Sequence, residues 1–186
     1  MPTMPPKPTQ TPISIRPYQL DDVPRLFEAA RESVATVGRW LPWCHAGYAI
    51  EEAQAWVEKQ VAAFQAGTEY HFTIVSADGR FLGGCSLNQL DSVNRRANFG
   101  YWIRSSAAGR GVMTAAARLL ADWAFRHTDL LRLEILAATG NRASQRVAEK
   151  IGALREGVLR SRLLLHGEAL DAVVFSLLRA EWTPLP

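Results

Sequence analysis

Cysteine is scarce in this sequence, and long apolar runs are missing from it. Among its 186 residues only Cys44 and Cys85 are cysteines, and neither has a CxxC partner or a histidine at metal-ligand spacing. This excludes a disulfide framework and argues against a redox motif or a zinc site. No apolar run approaches the roughly 18 residues that a membrane span needs, and residues 1–12 lack the apolar core of a secretory signal. We therefore expect a cytoplasmic protein with no metal and no membrane partner.

The sequence also lacks a separate block of basic charge. Its 21 lysines and arginines are interspersed with 18 aspartates and glutamates, and the formal net charge is +3. Proteins that bind nucleic acid commonly carry a basic patch or arm, so we expect no nucleic-acid partner. A few arginines beside one cleft can still attract a small molecule that bears phosphate groups.

The apolar pattern divides the chain into a tail and one domain. Residues 1–12 are rich in proline and polar side chains, which predicts a flexible tail. In residues 13–186 the apolar spacing predicts a strand, two helices, three strands, a helix, a strand, a helix and two strands. This order predicts an α/β fold, in which a single mixed, mostly antiparallel sheet is flanked by helices on both faces. Asp78-Gly79 favours a type I′ hairpin turn, and another turn is expected at His166-Gly167.

The most informative segment runs from Gly100 to Thr114. A strand that ends near Ile103 leads through Gly109-Arg110-Gly111 into an alanine-rich helix. Glycine lets backbone N–H groups turn towards one point, and a helix N-terminus adds unpaired donors and a partial positive charge. The segment indicates a site for a pyrophosphate, although a plain glycine turn into a helix has the same local pattern.

Further motifs accompany this segment along the chain. Asn141-Arg142-Ala143-Ser144 opens a helix, Glu149-Lys150-Ile151-Gly152 and Glu156-Gly157 follow it, and Trp40-Leu41-Pro42-Trp43 comes earlier. Together these motifs resemble the GNAT superfamily, and its Rim-type branch in particular. The resemblance implies the GNAT fold, in which splayed central strands form a cleft for acetyl-CoA. It also implies direct transfer of an acetyl group to a primary amine, with acetyl-CoA as cosubstrate. A homodimer is a further expectation, because Rim-type relatives often pair.

The same resemblance assigns roles to individual residues. Ser144 is implied as the proton donor to the departing thiolate, and the backbone N–H of Ile103 as the group that holds the oxyanion. For Arg110, Arg146 and Lys150 an ordinary solvated surface remains the alternative. The residues implied to bind the cofactor are Trp102, Ile103, Arg104, Ala108, Gly109, Arg110, Gly111, Val112, Met113, Thr114, Asn141, Ser144, Arg146 and Lys150.

The general base and the acceptor site are less clearly marked. No carboxylate matches a base position of the family, and Glu134 is retained as the candidate catalytic carboxylate. The residues expected near the acceptor are Glu32, Trp40, Trp43 and Tyr101, with His45 and Tyr48 bordering the same loop. A site without a strong base favours an acceptor of low pKa, such as an N-terminal α-amine near about 8, over a lysine near about 10.4.

Substitutions within the family pattern leave a second hypothesis open. Ala108, Ala115 and Ala148 stand where family members often carry functional side chains. The alternative function is therefore a catalytically silent module that binds or senses acyl-CoA. A third possibility is a structural domain whose glycine loop binds nothing.

Overall fold

The computed structural model describes residues 12–185. The predicted tail of residues 1–12 lies, apart from Pro12, outside the described residues. Within residues 12–185 no helix is long and apolar enough to cross a membrane.

Within residues 12–185, seven strands and four α-helices follow one another in the predicted order. The strands are β1 (Ile13–Pro17), β2 (Tyr70–Ser76), β3 (Phe81–Asp91), β4 (Arg96–Ile103), β5 (Arg132–Ala138), β6 (Leu154–Leu165) and β7 (Glu168–Leu178). The helices are α1 (Val23–Val37), α2 (Ile50–Ala66), α3 (Val112–His127) and α4 (Arg142–Lys150).

The strands form one sheet in the order β1-β2-β3-β4-β5-β7-β6. β4 and β5 run parallel, because α3 carries the chain between them, and every other neighbouring pair is antiparallel. The prediction of a single mixed, mostly antiparallel sheet is confirmed.

The two central strands pair over a very short length. Arg96–Asn98 of β4 align with Arg132–Glu134 of β5, whereas β4 continues to Ile103 and β5 to Ala138 without further pairing between them. A strand that ends its pairing leaves backbone donors and acceptors along an open edge. The expected splay of the central strands is therefore confirmed, and it lies beside the glycine segment.

Helices cover both faces of the sheet and enclose two apolar cores. α3 lies close to one face, because four of its inward residues, Ala116, Ala117, Ala121 and Ala124, are fully buried alanines. On the other face Leu26 of α1 and Val57 of α2 pack around Phe81 of β3. β4 contributes to both cores, with Phe99 on the α3 face and Trp102 on the α1 face.

The type I′ turn predicted at Asp78-Gly79 is wrong. Such a turn needs a positive φ at both central residues, and of these two only Gly79 has one, at 80°. Ser76 instead bonds Asp78 and the Arg80 amide through its hydroxyl, which stabilises a four-residue loop between β2 and β3. The two-residue turn with both φ values positive lies at His166 and Gly167, at 52° and 83°.

Candidate active site

The loop between β4 and α3 presents a row of unpaired backbone amides. Gly109 and Gly111 adopt left-handed φ angles of 76° and 77°, and α3 begins at Val112. The first backbone bond of the helix runs from the Ala115 amide to the Gly111 carbonyl at 3.1 Å. Within the described chain the amides of residues 109–114 donate to no protein oxygen. Unpaired amides at a helix N-terminus suit an anion such as a pyrophosphate.

Helix α1 holds the start of this loop in place. The Ser106 amide donates to Glu32 Oε1 at 2.8 Å, and the Ser105 amide donates to Ser33 Oγ at 3.1 Å. The Thr36 and Ser105 hydroxyl oxygens lie 2.6 Å apart. Polar side chains of α1 therefore fix the turn that leads into the row of amides.

Arg104 anchors the same turn from the end of β4. Its amide donates to the Leu82 carbonyl at 2.8 Å. Its buried guanidinium donates to Glu32, to Glu28 and to the Phe81 carbonyl, so that every nitrogen of Arg104 has a protein acceptor. The hydrogen bond from Arg104 lowers the pKa of Glu32 to about 2.

These contacts bear on two sequence predictions. Arg104 was expected to bind the cofactor and Glu32 the acceptor. The structure places both side chains in the support of the loop. A carboxylate whose pKa is about 2 is also a poor general base near neutral pH.

The open edge of β4 exposes the backbone of Tyr101 and Ile103, two of the predicted site residues. Trp102 pairs with Gly84 of β3, and the Arg104 amide points to β3 as well. Because backbone groups alternate along a strand, the N–H and C=O of Tyr101 and Ile103 face the splay. The Ile103 amide, which the family resemblance implies as the oxyanion donor, therefore faces the splay.

Ser144 and Tyr101 form a hydrogen-bonded pair across the splay. The Ser144 hydroxyl donates to Tyr101 Oη at 3.1 Å, and the Tyr101 hydroxyl donates to the Ser144 carbonyl at 2.9 Å. Burial raises the pKa of Tyr101 to about 12, so it stays a phenol at neutral pH. Asn141 caps α4 by accepting the Ser144 amide at its Oδ1 atom, 3.1 Å away. One cap and one tyrosine thus fix the position of the Ser144 hydroxyl.

Glu134 is not brought to this pair. Its two carboxylate oxygens bind Arg96 at 3.1 Å and Arg132 at 2.7 Å. It lies opposite Asn98, at the paired end of β4, roughly 10 Å along the strand from Tyr101. Arg132 and then Ser176 also lower the pKa of the neighbouring Glu156 to about 2. This face of the paired end is thus occupied by a network of ion pairs.

An aromatic pocket lies on the face of β4 opposite to Tyr101, beside α1 and α2. We use the name aromatic pocket for a cavity of about 140 Å³ lined by Leu26, Trp43, Tyr48, Glu52, Trp56 and Trp102. The sequence analysis named Trp43 for the acceptor and Tyr48 for its border, but it missed Leu26, Glu52 and Trp56. The concentration of tryptophan and tyrosine in residues 40–56 was the available signal for Trp56. A second cavity, of about 250 Å³, lies by the C-terminal segment at Arg118, Trp182 and Leu185.

Trp40 lies outside the aromatic pocket. Its ring packs on Gly140, where an added Cβ would come within 3.3 Å of it. Because Gly140 precedes the α4 cap Asn141, Trp40 borders the loop between β5 and α4.

The remaining predicted cofactor residues lie around the loop and α4. Val112 and Met113 are buried in the first turn of α3, Thr114 is half-buried, and Ala108 is exposed. Arg110, Arg146 and Lys150 have exposed side chains. Exposure leaves these three cations accessible to phosphate groups.

Comparisons with known proteins identify the family of this chain. The family model for the acetyltransferase (GNAT) domain matches residues 13–154. The Bacillus subtilis (strain 168) protein YdaF, provisionally named a ribosomal N-acetyltransferase, is 36% identical over 177 residues, which cover 91% of this chain and 93% of YdaF. A crystal structure named as a probable acetyltransferase is 34% identical, with a TM-score of 0.84 over 91% of this chain and 94% of that one.

A solved structure of RimL, a ribosomal L7/L12 α-N-protein acetyltransferase in complex with CoA, also has this fold. Its TM-score is 0.84 at 24% identity, over 92% of this chain and 97% of that one. The family model and the identity to YdaF cover most of the chain. This chain therefore belongs to the GNAT family of acetyltransferases and is an N-acetyltransferase related to its Rim-type members.

Proposed function

We propose that this N-acetyltransferase uses acetyl-CoA to acetylate a primary amine, and that its acceptor is the α-amine of a protein N-terminus. The observation that carries the donor side is the row of unpaired amides at residues 109–114, beside the splay of β4 and β5. The names of YdaF and RimL support the acceptor class, since both refer to ribosomal acetylation. Relatives named as acetyltransferases give no support to a silent module.

Each part of acetyl-CoA is assigned to its own group of residues in this proposal. The amides of residues 109–114 would hold the pyrophosphate, and Arg110, Arg146 and Lys150 would meet its phosphate charges. The open backbone edge at Tyr101 and Ile103 would pair with the pantetheine arm. An asparagine amide has two donors and a carbonyl, so the capping contact at Asn141 Oδ1 leaves its Nδ2 group to bind the same arm.

Acetyl-CoA supplies the activated acetyl thioester, and the chain positions groups around it. The Ile103 N–H would stabilise negative charge that develops on the carbonyl oxygen. The Ser144 hydroxyl would turn from Tyr101 Oη to the departing sulfur and give it a proton as the carbon–sulfur bond breaks. The attacking nitrogen would lose a proton as it becomes an amide, and this proton, passed through water, would restore the Ser144 hydroxyl. Tyr101 stays protonated because its pKa is about 12, and it keeps Ser144 in place through the carbonyl.

The ion pairing of the predicted site carboxylates supports an α-amine acceptor. Glu32 and Glu134, the carboxylates among the predicted site residues, are both bound by arginines. An α-amine with a pKa of about 8 is roughly a tenth neutral at pH 7, whereas a lysine near about 10.4 is almost entirely charged. The amine itself then supplies the neutral nucleophile.

The test is release of free CoA thiol from acetyl-CoA with matched peptides. One peptide carries a free N-terminal serine, and its partner has a blocked N-terminus and an internal lysine. We expect release with the first peptide and at least tenfold less with the second. Equal release with both would overturn the α-amine assignment, and release with neither would overturn the proposed acceptor class.

We also propose a homodimer in the cytoplasm. Four leucine and valine side chains of the edge strand β6 are exposed, led by Leu164 at 73% and Leu154 at 64%. An exposed apolar edge strand is a surface that a second copy can cover. Analytical ultracentrifugation should give a dimer, and Leu164→Lys should shift it towards monomer.

Both cysteines are free thiols, as suits a reducing cytoplasm.

A further inference from the structure

The aromatic pocket lies directly across β4 from the Tyr101–Ser144 pair. Trp102, which lines the pocket, stands between Tyr101 and Ile103 in the strand. Successive side chains of a strand point to opposite faces, so Trp102 faces away from both neighbours. An acceptor that reaches the splay from the α1 and α2 side would therefore pass beside Trp102. The part of that acceptor beyond its reacting amine would meet the pocket.

The walls of the pocket are rings set at steep angles to one another. Trp43 contacts Trp102 with ring centroids 5.2 Å apart and an interplanar angle of 73°. It contacts Tyr48 at 5.7 Å and 62°. Rings in such an arrangement form corners rather than a flat stack. A volume of about 140 Å³ is close to the roughly 150 Å³ cavity that holds a benzene-sized group.

Among residues 12–185, Glu52 is the one charged residue that lines this pocket. Its Oε1 atom accepts the Ala49 amide at 2.9 Å, and its Oε2 atom lies 3.3 Å from His45 Nε2. A carboxylate has about four acceptor sites, so these two contacts leave capacity for a further donor. The side chain of Glu52 is 48% exposed, which makes it accessible at the mouth of the pocket.

Aromatic rings beside a carboxylate select for positive charge. The faces of tryptophan and tyrosine rings carry negative potential and attract cations. An apolar occupant would desolvate the Glu52 carboxylate without offering it a partner, which is unfavourable. A cationic occupant satisfies both the rings and the carboxylate.

We propose that the aromatic pocket binds a cationic group of the acceptor, separate from the amine that is acetylated. This inference rests on the proposed function and names the substrate class for the same site. For a peptide acceptor the group is the guanidinium or ammonium of a basic side chain close to the N-terminus.

The experiment compares three peptides that differ in one side chain. They are Ser-Arg-Ala-Ala, its citrulline analogue and its norleucine analogue, with a second set that moves this residue to position three. Arginine and citrulline have nearly the same size and differ in charge. In at least one set we expect kcat/KM for the arginine peptide to exceed both others by about tenfold. A higher or equal value for norleucine or citrulline in both sets would overturn the proposal.

Two variants in the first turn of α2 assign the preference to the pocket. Glu52→Gln removes the charge and keeps the carbonyl oxygen that caps the Ala49 amide. Glu51→Gln makes the same charge change at an exposed neighbour that does not line the pocket. We expect the preference for arginine to disappear in Glu52→Gln and to persist in Glu51→Gln. A preference that survives in Glu52→Gln would overturn the assignment.

Calorimetric binding of the same peptides separates this inference from the proposed function. If no peptide is acetylated, the proposed function fails while binding still reports on the pocket. Tighter binding of the arginine peptide by the wild type, lost in Glu52→Gln alone, would then support the pocket. Equal binding of the three peptides by the wild type would overturn it.

Discussion

The two faces of β4 have different chemistry and different origins in the sequence. On the α3 face Tyr101 contacts Ser144 beside the open backbone edge of the strand, and the unpaired amides follow within the next few residues. On the α1 face Trp102 joins side chains from α1, from α2 and from the loop between them. One face offers mainly backbone groups from a continuous segment, whereas the other offers side chains from segments far apart in the chain.

Under the proposed function, this difference separates the binding of acetyl-CoA from the binding of the acceptor. A cofactor that is the same for every relative can be held by backbone amides, which need only the right loop and few particular side chains. An acceptor that varies needs side chains that can change one at a time. Substitutions on the α3 face, in the loop or in its support should therefore alter chemistry and cofactor binding, and substitutions in the aromatic pocket should alter acceptor use.

The largest expected effect is on the α3 face, at Ser144. Ser144→Ala removes the proposed proton donor, and we expect kcat to fall about a hundredfold with little change in the Kd for CoA. Tyr101→Phe leaves the donor but removes its hydroxyl partner, so we expect a smaller fall, of about tenfold. Single-turnover kinetics and calorimetry measure the two quantities. An unchanged kcat in Ser144→Ala would show that Ser144 is not the proton donor and serves only as a residue of α4.

A smaller effect is expected in the loop itself. Gly109 has a φ of 76° and no neighbour within 4 Å of an added Cβ, and Gly79, in the remote β2–β3 loop, has a φ of 80° and equally open space. Alanine costs about 1 kcal/mol in either left-handed position. We expect Gly109→Ala and Gly79→Ala to lose similar stability. Only Gly109→Ala should weaken CoA binding, by about tenfold, because the loop amides turn away.

The support of the loop by α1 gives a pH-dependent prediction. The folded pKa of Glu32 is about 2, below its ordinary value of 4.5, so its contribution to stability is present above pH 4.5 and is lost as pH falls towards 2. The same holds for Glu156. In denaturant titrations Glu32→Gln and Glu156→Gln should each lose part of the pH dependence in this window.

CoA binding distinguishes these two variants at neutral pH. Glu32→Gln should weaken it about fivefold, because Glu32 holds both Arg104 and the Ser106 amide. Glu156→Gln should leave it unchanged, because Glu156 bonds Arg132 and Ser176 in the ion-pair network at the paired end. Equal CoA affinity in both variants would contradict the loop-support role of Glu32.

The smallest effect is expected on the α1 face. Trp43→Leu removes a wall of the aromatic pocket and its edge-to-face contacts with Tyr48 and Trp102. We expect kcat/KM for the acceptor to fall about threefold while the Kd for CoA stays the same. Steady-state kinetics with the serine peptide measure the first quantity. A change confined to CoA binding would contradict the division between the two faces.

How much of the site the sequence predicts also differs between local motifs and contacts made by distant segments. The element order and the glycine loop could be read from the sequence, because periodicity and local motifs act within a few residues. The ion pair of Glu134 with Arg96 could not, since β4 and β5 meet only in the folded sheet. The sequence also could not predict that Glu52, Trp56 and Trp102 line one pocket, because this depends on the packing of α1 and α2 against the sheet. Alternation along β4 shows that Trp102 faces away from Tyr101, but not which residues it meets.

The brief pairing of β4 with β5 has a consequence for the lifetime of the protein in the cell. Three aligned residue pairs join the half of the sheet built from β1–β4 to the half built from β5–β7. A donor molecule bound along the open edge would bridge these halves, and it would stabilise the folded chain by mass action. Each tenfold rise of free acetyl-CoA above its Kd would add about 1.4 kcal/mol. Resistance to proteolysis would then follow the metabolic supply of acetyl groups.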